Sequence, residues 1–301
     1  MSERRHADPL PLGEPDGLPY SKGLMWRALI AGGVAAGPAY ELATRIELDL
    51  VARDGRAVEL SRFEELAVSV LGEEEGLRAV CRLRRYAALQ SLDIPIVLLV
   101  GGGTGTGKSS VATEVAHRLG VTRVTSTDFI RQTIRAYFPH ETMPSVHYSS
   151  FEAADAVSGP TDDAVIDGFI DQTEKVLVGV EAMIERSMTE GWSMVLEGIH
   201  LVPGRVPVQI DGALVVHLVL QVPGDTVHRL NFHVRDAATG GVRPMAKYLD
   251  RLDEIRKIQE YIVHQAEQNG VPVIESTNPD RATAEVMELV LASAEQLEPA
   301  L

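Results

Sequence analysis

The chain of 301 residues carries 28 basic and 43 acidic side chains, a net charge of −15 at neutral pH. This acidic balance argues against a broad surface for nucleic acid or for an anionic membrane. An anionic ligand must therefore be held in a local pocket. The single cysteine, Cys81, excludes an intrachain disulfide framework, and its apolar neighbours predict a packing role. No apolar stretch reaches the ~20 residues of a membrane span, so we predict a cytoplasmic protein with neither nucleic-acid nor membrane partners.

The N-terminal part of the chain divides into a tail and a helical region. Residues 1–18 are charged and rich in proline and glycine, which predicts a disordered tail. Residues 19–90 repeat apolar side chains at helical spacing and predict a small helical domain. Ser21 is placed to cap the first helix, and the pair Ser61 and Glu64 matches the capping box that would open a later one.

The last predicted helix of this region, residues 77–89, is rich in arginine. Such a cluster forms either a solvated face or an anion site, and we favour the solvated face because charge runs on helices usually face water. The arginines concerned are Arg78, Arg82, Arg84 and Arg85.

From Ile94 onward, apolar strand patterns alternate with helical ones, which is typical of an α/β fold with right-handed crossovers. We predict a domain over 91–301 with a five-stranded parallel sheet flanked by helices. One long helix is expected over 248–268. The predicted strands are 94–100, 122–125, 192–196, 214–222 and 271–274.

A glycine-rich loop follows the first predicted strand and precedes a predicted helix. It matches the phosphate-loop (P-loop) pattern G-x-x-x-x-G-K-[ST] at every fixed position. Glycines let successive N–H groups converge on an anion, Lys108 can reach the β- and γ-phosphates, and the Ser109 hydroxyl can bind Mg²⁺. We predict a nucleoside triphosphate site formed by Gly102, Gly103, Thr104, Gly105, Thr106, Gly107, Lys108, Ser109 and Ser110.

Two further carboxylates follow predicted strands, and ligands of such sheets bind where the strands end. Asp128 can accept the proton of an attacking hydroxyl, and Arg131, one turn later, can bind a substrate anion. The alternative is a helix-capping Asp128 with an exposed Arg131. Glu197 can order a Mg²⁺ ion or the substrate, or else it is only a solvated strand end.

Other polar segments could complete such a site. Residues 144–152 are dense in hydroxyls, among them Ser149 and Ser150, which suit hydrogen bonding to an oxyanion but equally suit turns and caps. Residues 229–251 are rich in arginine around a glycine pair, Gly240-Gly241, and an arginine there could neutralise a γ-phosphate during transfer. Arg235 and Arg243 are the candidates for this catalytic role.

Taken together, these segments resemble the 2-phosphoglycerate kinase family of P-loop kinases, which is itself similar to zeta-toxin and chloramphenicol phosphotransferase kinases. The resemblance extends over about 94–291. The segments that carry it are GGTGTGKSS at 102–110, TSTDFIRQ at 125–132, SVHYSSFEA at 145–153, VLEGIHLVPG at 195–204 and YLDRLDEIRKIQEYIV at 248–263.

The resemblance implies a P-loop kinase that uses ATP and Mg²⁺ to convert 2-phosphoglycerate, a small anionic substrate, into 2,3-bisphosphoglycerate. It implies that Asp128 acts as base and that Arg131 and the Ser149-Ser150 loop hold the substrate's phosphate or carboxylate. At 231–232 the chain has Asn-Phe where the family leads us to expect Arg-Phe.

The region 19–90 resembles the ATP-cone that precedes the kinase domain in family members, on the matches at 19–24 and 40–43. Proline-rich sequence stands where a cone would begin with a basic hairpin, so the resemblance implies a truncated cone. Two alternatives stay open: a kinase of another hydroxyl compound, such as an antibiotic or a nucleotide sugar, and a nucleotide-sensing module without transfer. Intact Lys108, Ser109 and Asp128 favour an enzyme. The sequence does not determine the oligomeric state, and a homodimer is compatible with it.

Overall fold

The computed structural model describes residues 20–92, 94–238 and 245–297. These residues form two compact units, one made of 20–92 with 287–297 and the other of 94–286. The predicted tail, the glycine pair Gly240-Gly241 and Arg243 lie outside the described residues. Within the described ranges, no helix combines the length and the apolar character needed to cross a bilayer.

The first unit is a helical bundle. Its helices up to residue 92 are α1 (Lys22–Ala31), α2 (Ala36–Ala52), α3 (Leu60–Leu71) and α4 (Glu73–Ser91). The Ser21 hydroxyl accepts a hydrogen bond from the Leu24 N–H, so the predicted cap of α1 is confirmed. The predicted capping box is wrong, because α3 begins at Leu60 and Ser61 therefore already lies inside its first turn.

The arginines of α4 form ion pairs within this unit. Arg78 pairs with Glu74 and Glu75 on its own helix. Arg85 bridges Glu288 and Glu295 at 2.7 and 2.6 Å, and Arg82 also reaches Glu288. Glu288 and Glu295 belong to residues 287–297, which are part of the helical unit. The sequence analysis assigns those residues to the α/β domain instead.

Cys81 is exposed, so the predicted packing role is wrong. The buried positions of α4 include Ala79, Val80, Leu83 and Tyr86. At 100° per residue these side chains share one face, and position 81 falls on the opposite face.

The second unit contains a five-stranded parallel sheet in the order β2-β3-β1-β4-β5, which confirms the predicted α/β fold. The central strand β1 is buried along its whole length, as its unbroken apolar sequence predicts. The strands are β1 (Ile96–Gly102), β2 (Val124–Ser126), β3 (Met194–Glu197), β4 (Leu214–Gln221) and β5 (Val273–Glu275).

Helices pack on the sheet through two apolar cores. One core joins β1 and β3 to α7 through residues such as Leu99, Leu196 and Val180. The other joins β4 to α10 through residues such as Val219 and Ile258. The helices of this unit are α5 (Lys108–Leu119), α6 (Thr127–Tyr137), α7 (Ala164–Glu190), α8 (Asp225–Ala238), α9 (Met245–Leu249) and α10 (Leu252–Gln268), followed by α11 (Pro279–Glu295), which extends past residue 286.

Two regions differ from the sequence prediction in detail. The single helix expected over 248–268 is two helices, α9 and α10, interrupted at Asp250 and Arg251. The segment between α6 and α7, for which the sequence analysis predicts neither helix nor strand, contains short 3₁₀ helices at Pro144–His147 and Ser150–Ala156. Both differences concern single turns, whose ends depend on packing more than on periodicity.

A pair of glycine substitutions tests the packing of α3 on α4. A Cβ at Gly76 would lie 2.7 Å from the backbone of Val68, whereas a Cβ at Gly37 in α2 would meet nothing within 4 Å. We expect Gly76→Ala to lower the free energy of unfolding by about 1–3 kcal/mol through overpacking. The control Gly37→Ala should be neutral or raise it by up to about 1 kcal/mol. Urea titrations of both variants measure the difference, and equal midpoints would contradict the tight approach.

Candidate active site

The phosphate loop occupies the turn between β1 and α5. Gly107 precedes α5 with φ of 82°, a left-handed conformation that strains any side chain larger than glycine. The Lys108 ammonium is buried and donates to the Gly103 carbonyl at 2.5 Å, and the Thr106 hydroxyl donates to the same carbonyl at 3.0 Å. Burial lowers the pKa of Lys108, while the negative charges of Glu197 and Asp128 oppose that shift. The loop therefore fixes its cation through its own backbone.

Glu197 stands at the junction of three strands. It is the last residue of β3 and is paired in register with Val100 of β1 and with Ser126 of β2. Its carboxylate is buried and accepts a hydrogen bond from the Ser109 hydroxyl at 2.9 Å. The structure thus brings together the two residues that the sequence predicts as metal ligands, and the solvated strand end is the wrong alternative for Glu197.

A hydroxyl and a carboxylate are hard oxygen donors of the kind that Mg²⁺ prefers. Among the described residues, no group of three or more His, Cys, Asp or Glu side chains is placed to hold a metal ion. Mg²⁺ usually binds through one or two protein oxygens and completes its shell with water and substrate phosphates. The Ser109–Glu197 pair beside the phosphate loop fits that mode.

Asp128 lies in the first turn of α6, on the far side of Glu197 from the phosphate loop. The N-cap of α6 is Ser126, whose hydroxyl accepts from the Phe129 N–H at 3.1 Å, so the capping alternative for Asp128 is wrong. Desolvation raises the pKa of Asp128, but its side chain is 68% exposed, and the positive charges of Arg131 and Lys108 lower the pKa below its ordinary value. Asp128 is therefore an ionised acceptor at neutral pH.

Arg131 is buried, so the exposed alternative is wrong for this residue. Its Nε donates to Asp128 Oδ1 at 3.3 Å, and its Nη1 donates to the carbonyls of Val146 and Tyr148 at 3.0 and 2.8 Å. Among the described residues none accepts from Nη2. Arg131 fixes the hydroxyl-rich segment beside Asp128, and only Nη2 remains for a substrate anion.

A buried network around His200 joins these segments. The His200 Nδ1 lies 2.8 Å from the Thr127 hydroxyl, and its Nε2 lies 2.9 Å from Gln172 Oε1. The Gln172 amide nitrogen in turn donates to the carbonyls of Ser145 and Tyr148. Because Gln172 presents its oxygen, Nε2 carries the imidazole proton and Nδ1 accepts from Thr127. A neutral His200 therefore ties the start of α6 to the 145–148 segment.

Gly198 makes room for this network. Its φ is 155°, and a Cβ at that position would collide with the Thr127 hydroxyl. The sequence analysis missed Thr127 and Gln172 as participants. Gln172 lies on α7 among apolar core positions, and a polar residue in such a stripe is the one signal that could have revealed it.

The remaining predicted site residues lie in the hydroxyl-rich segment and on α8. Ser149 accepts from Lys247 Nζ at 3.3 Å, and Lys247 also pairs with Glu152 at 2.9 Å, while Ser150 is buried. The Arg235 guanidinium lies over the Tyr248 ring at 5.1 Å. Its charge also lowers the pKa of Lys108, which places it within electrostatic reach of the phosphate loop.

Burial of His200 predicts a loss of stability in acid. Burial lowers its pKa from 6.5 to about 4, so the unfolded chain takes up a proton at a higher pH than the folded chain does. The free energy of unfolding should therefore fall as the pH drops from 6.5 to about 4, by about 3 kcal/mol for this group.

The measurement is a set of urea titrations across this pH range on the wild type and on His200→Gln, which cannot titrate there. Burial also lowers the pKa of His217 to about 4, but it does so in both proteins, so their difference isolates His200. Parallel pH curves for the two proteins would show that His200 is not held neutral.

Comparison with known proteins identifies relatives along nearly the whole chain. No protein-family model matches the chain. The 2-phosphoglycerate kinase of Methanothermobacter thermautotrophicus is 37% identical over 265 residues, 86% of this chain and 85% of the relative. Those of Thermococcus kodakarensis and Pyrococcus horikoshii are 34% and 32% identical, and the matches cover 93% of this chain and 95% and 92% of the relatives. With this identity and coverage, the chain belongs to the 2-phosphoglycerate kinase family.

Proposed function

We propose that the protein is an ATP-dependent kinase that phosphorylates the 3-hydroxyl of 2-phosphoglycerate, yielding 2,3-bisphosphoglycerate and ADP. One observation carries the proposal. A complete phosphate-loop motif, the Ser109–Glu197 pair and an ionised Asp128 come together at one edge of the sheet. The relatives named above are 2-phosphoglycerate kinases. A cytoplasmic location and a homodimer stay predictions.

In this proposal the loop amides and Lys108 hold the β- and γ-phosphates of ATP. The 3-hydroxyl oxygen of the acceptor bonds to the γ-phosphorus, the bond from that phosphorus to the β–γ bridging oxygen breaks, and ADP leaves. Asp128 orients the hydroxyl and accepts its proton. Its low pKa suits a group that holds a hydrogen bond from an alcohol rather than one that is protonated in the resting enzyme.

The acceptor carries a phosphate and a carboxylate, and the site offers cations for both in spite of the acidic chain. Arg131, whose Nε donates to Asp128, keeps Nη2 for an anion, and the Lys247 ammonium donates to the Ser149 hydroxyl in the hydroxyl-rich segment. Arg235 and, outside the described residues, Arg243 are proposed to neutralise charge on the transferred group. Mg²⁺ held by Ser109 and Glu197 would screen the phosphates of ATP.

The direct test is incubation of the protein with ATP, Mg²⁺ and 2-phosphoglycerate, followed by ³¹P NMR. We expect a second phosphomonoester signal on the glycerate and stoichiometric ADP. Parallel samples with glycerate, 3-phosphoglycerate and chloramphenicol test other acceptors. Lys108→Ala should abolish the signal while the circular dichroism spectrum is kept. ATP binding without transfer to any acceptor would favour the sensing module instead.

Asp128→Asn should lower kcat by roughly 10²–10⁴, the usual contribution of an acid–base group. The Kd of ATP should change little, because Asp128 faces the acceptor side of the site. Single-turnover phosphorylation and calorimetric titration with ATP measure the two quantities. The neighbouring Phe129→Leu on the exposed face of α6 is a matched control. Full turnover in the Asp128→Asn variant would remove Asp128 from the mechanism.

Glu197→Gln should raise the Mg²⁺ concentration that gives half-maximal activity roughly 10–100-fold, the range seen when a metal site loses an anchoring group. The amide keeps the shape of the side chain and can still hydrogen-bond the Ser109 hydroxyl, but it lacks the negative charge. Activity at saturating Mg²⁺ should recover substantially. The variant's Mg²⁺ titration, run beside the wild type at fixed ATP, decides the matter, and superimposable curves would exclude Glu197 as an ion ligand.

A further inference from the structure

The outer side of the phosphate loop lies against α8. His228 Nε2 is 2.6 Å from the Thr104 carbonyl, and the Asn231 side-chain amide donates to the Gly105 carbonyl at 2.9 Å. The preceding carbonyl, that of Gly103, is held by Lys108 and by the Thr106 hydroxyl. Three consecutive carbonyls of the loop therefore each have a side-chain donor.

Pinning a carbonyl also orients the next N–H, because the C=O and N–H of a trans peptide point in opposite directions. Donors on the α8 side of Thr104 and Gly105 thus turn the N–H groups of Gly105 and Thr106 away from α8. Amides fixed in this way bind an anion without having to reorient first, which is the advantage of a preorganised site.

The packing around His228 indicates that the ring is held for this contact. His228 is fully buried and stacks on Phe232 with centroids 5.1 Å apart, and Phe232 closes over Gly105, where a Cβ would come within 2.7 Å of the ring. The other ring nitrogen, Nδ1, is buried without a hydrogen-bond partner among the described residues. An apolar side chain would pack there without leaving a polar atom unpaired, so packing alone does not account for histidine.

We propose that His228 and Asn231 are positioning residues that hold the phosphate loop in its anion-binding shape and thereby set the affinity for the ATP phosphates. The inference rests on the proposed function and deepens its nucleotide site. Arg235 lies on the same helix, about two turns after His228. A single rigid element therefore carries both the loop supports and the arginine proposed to act on the γ-phosphate.

The test compares His228→Phe and Asn231→Leu with the wild type. Each variant keeps the approximate volume and removes one donor. We expect the Kd of ATP, measured by calorimetry without acceptor, to rise roughly tenfold or more in each, the effect of losing about one hydrogen bond to a structured group. The KM for the phosphoglycerate acceptor should stay within about twofold of the wild-type value, because a twofold change is smaller than the loss of one interaction would cause.

Two further variants separate positioning from general damage. His228→Gln can place its amide nitrogen near the position of Nε2 and should restore most of the ATP affinity. His233→Phe makes the same exchange on the exposed face of α8 and should leave ATP binding unchanged. If His228→Phe does not fold, Asn231→Leu at its partly exposed position still gives the answer.

Unchanged ATP affinity in both donor-removing variants would overturn the inference. So would a parallel loss of ATP binding, acceptor binding and melting temperature, because that pattern reports a damaged fold. ATP binding is measured without acceptor, so this test does not depend on the acceptor. A wild type that binds ATP but does not phosphorylate 2-phosphoglycerate would contradict the proposed function and leave this test valid.

Discussion

The register of three parallel strands is the constraint from which the site arises. Val100, Glu197 and Ser126 lie side by side on β1, β3 and β2, so β2 and β3 end level with each other and β1 ends two residues further on. The segments that leave these strands must then lie at the same edge of the sheet: the phosphate loop after β1, and α6 with Asp128 after β2. Glu197 sits between them and bonds to Ser109. A shift of one residue in β3 would turn Glu197 to the other face of the sheet and separate the parts of the site.

The acceptor side of the cleft is held by polar groups taken out of water. His200 and Gln172 have no exposed surface, and each makes hydrogen bonds to two or more partners. Satisfied networks of this kind specify one arrangement, since any other leaves a buried polar atom unpaired. Arg131 adds two bonds to the same backbone segment. The segment beside Asp128 is thereby held by buried donors, whereas Lys247 is exposed and pairs with Glu152 next to solvent.

An acidic protein can bind two highly charged anions because electrostatic attraction at the site is local. Lys108 is buried and donates to the Gly103 carbonyl, and the negative charges of Glu197 and Asp128 limit the fall in its pKa. The Arg235 guanidinium lies over the Tyr248 ring, within electrostatic reach of Lys108. At such short distances the attraction of these cations for an anion exceeds the repulsion from the net negative charge of the surface, because salt and water screen that surface charge.

The sequence by itself determined what depends on neighbours along the chain: the parallel α/β fold, the phosphate loop with Lys108, and the carboxylates that follow two strands. Glycine spacing and apolar runs encode these features locally. Only the tertiary structure decided that Ser126 and not Asp128 caps α6, that Arg131 is buried under carbonyls 15 and 17 residues away, and that residues 287–297 join the helical unit. Those outcomes depend on which distant groups packing brings within hydrogen-bonding reach, and no periodicity in the sequence records that.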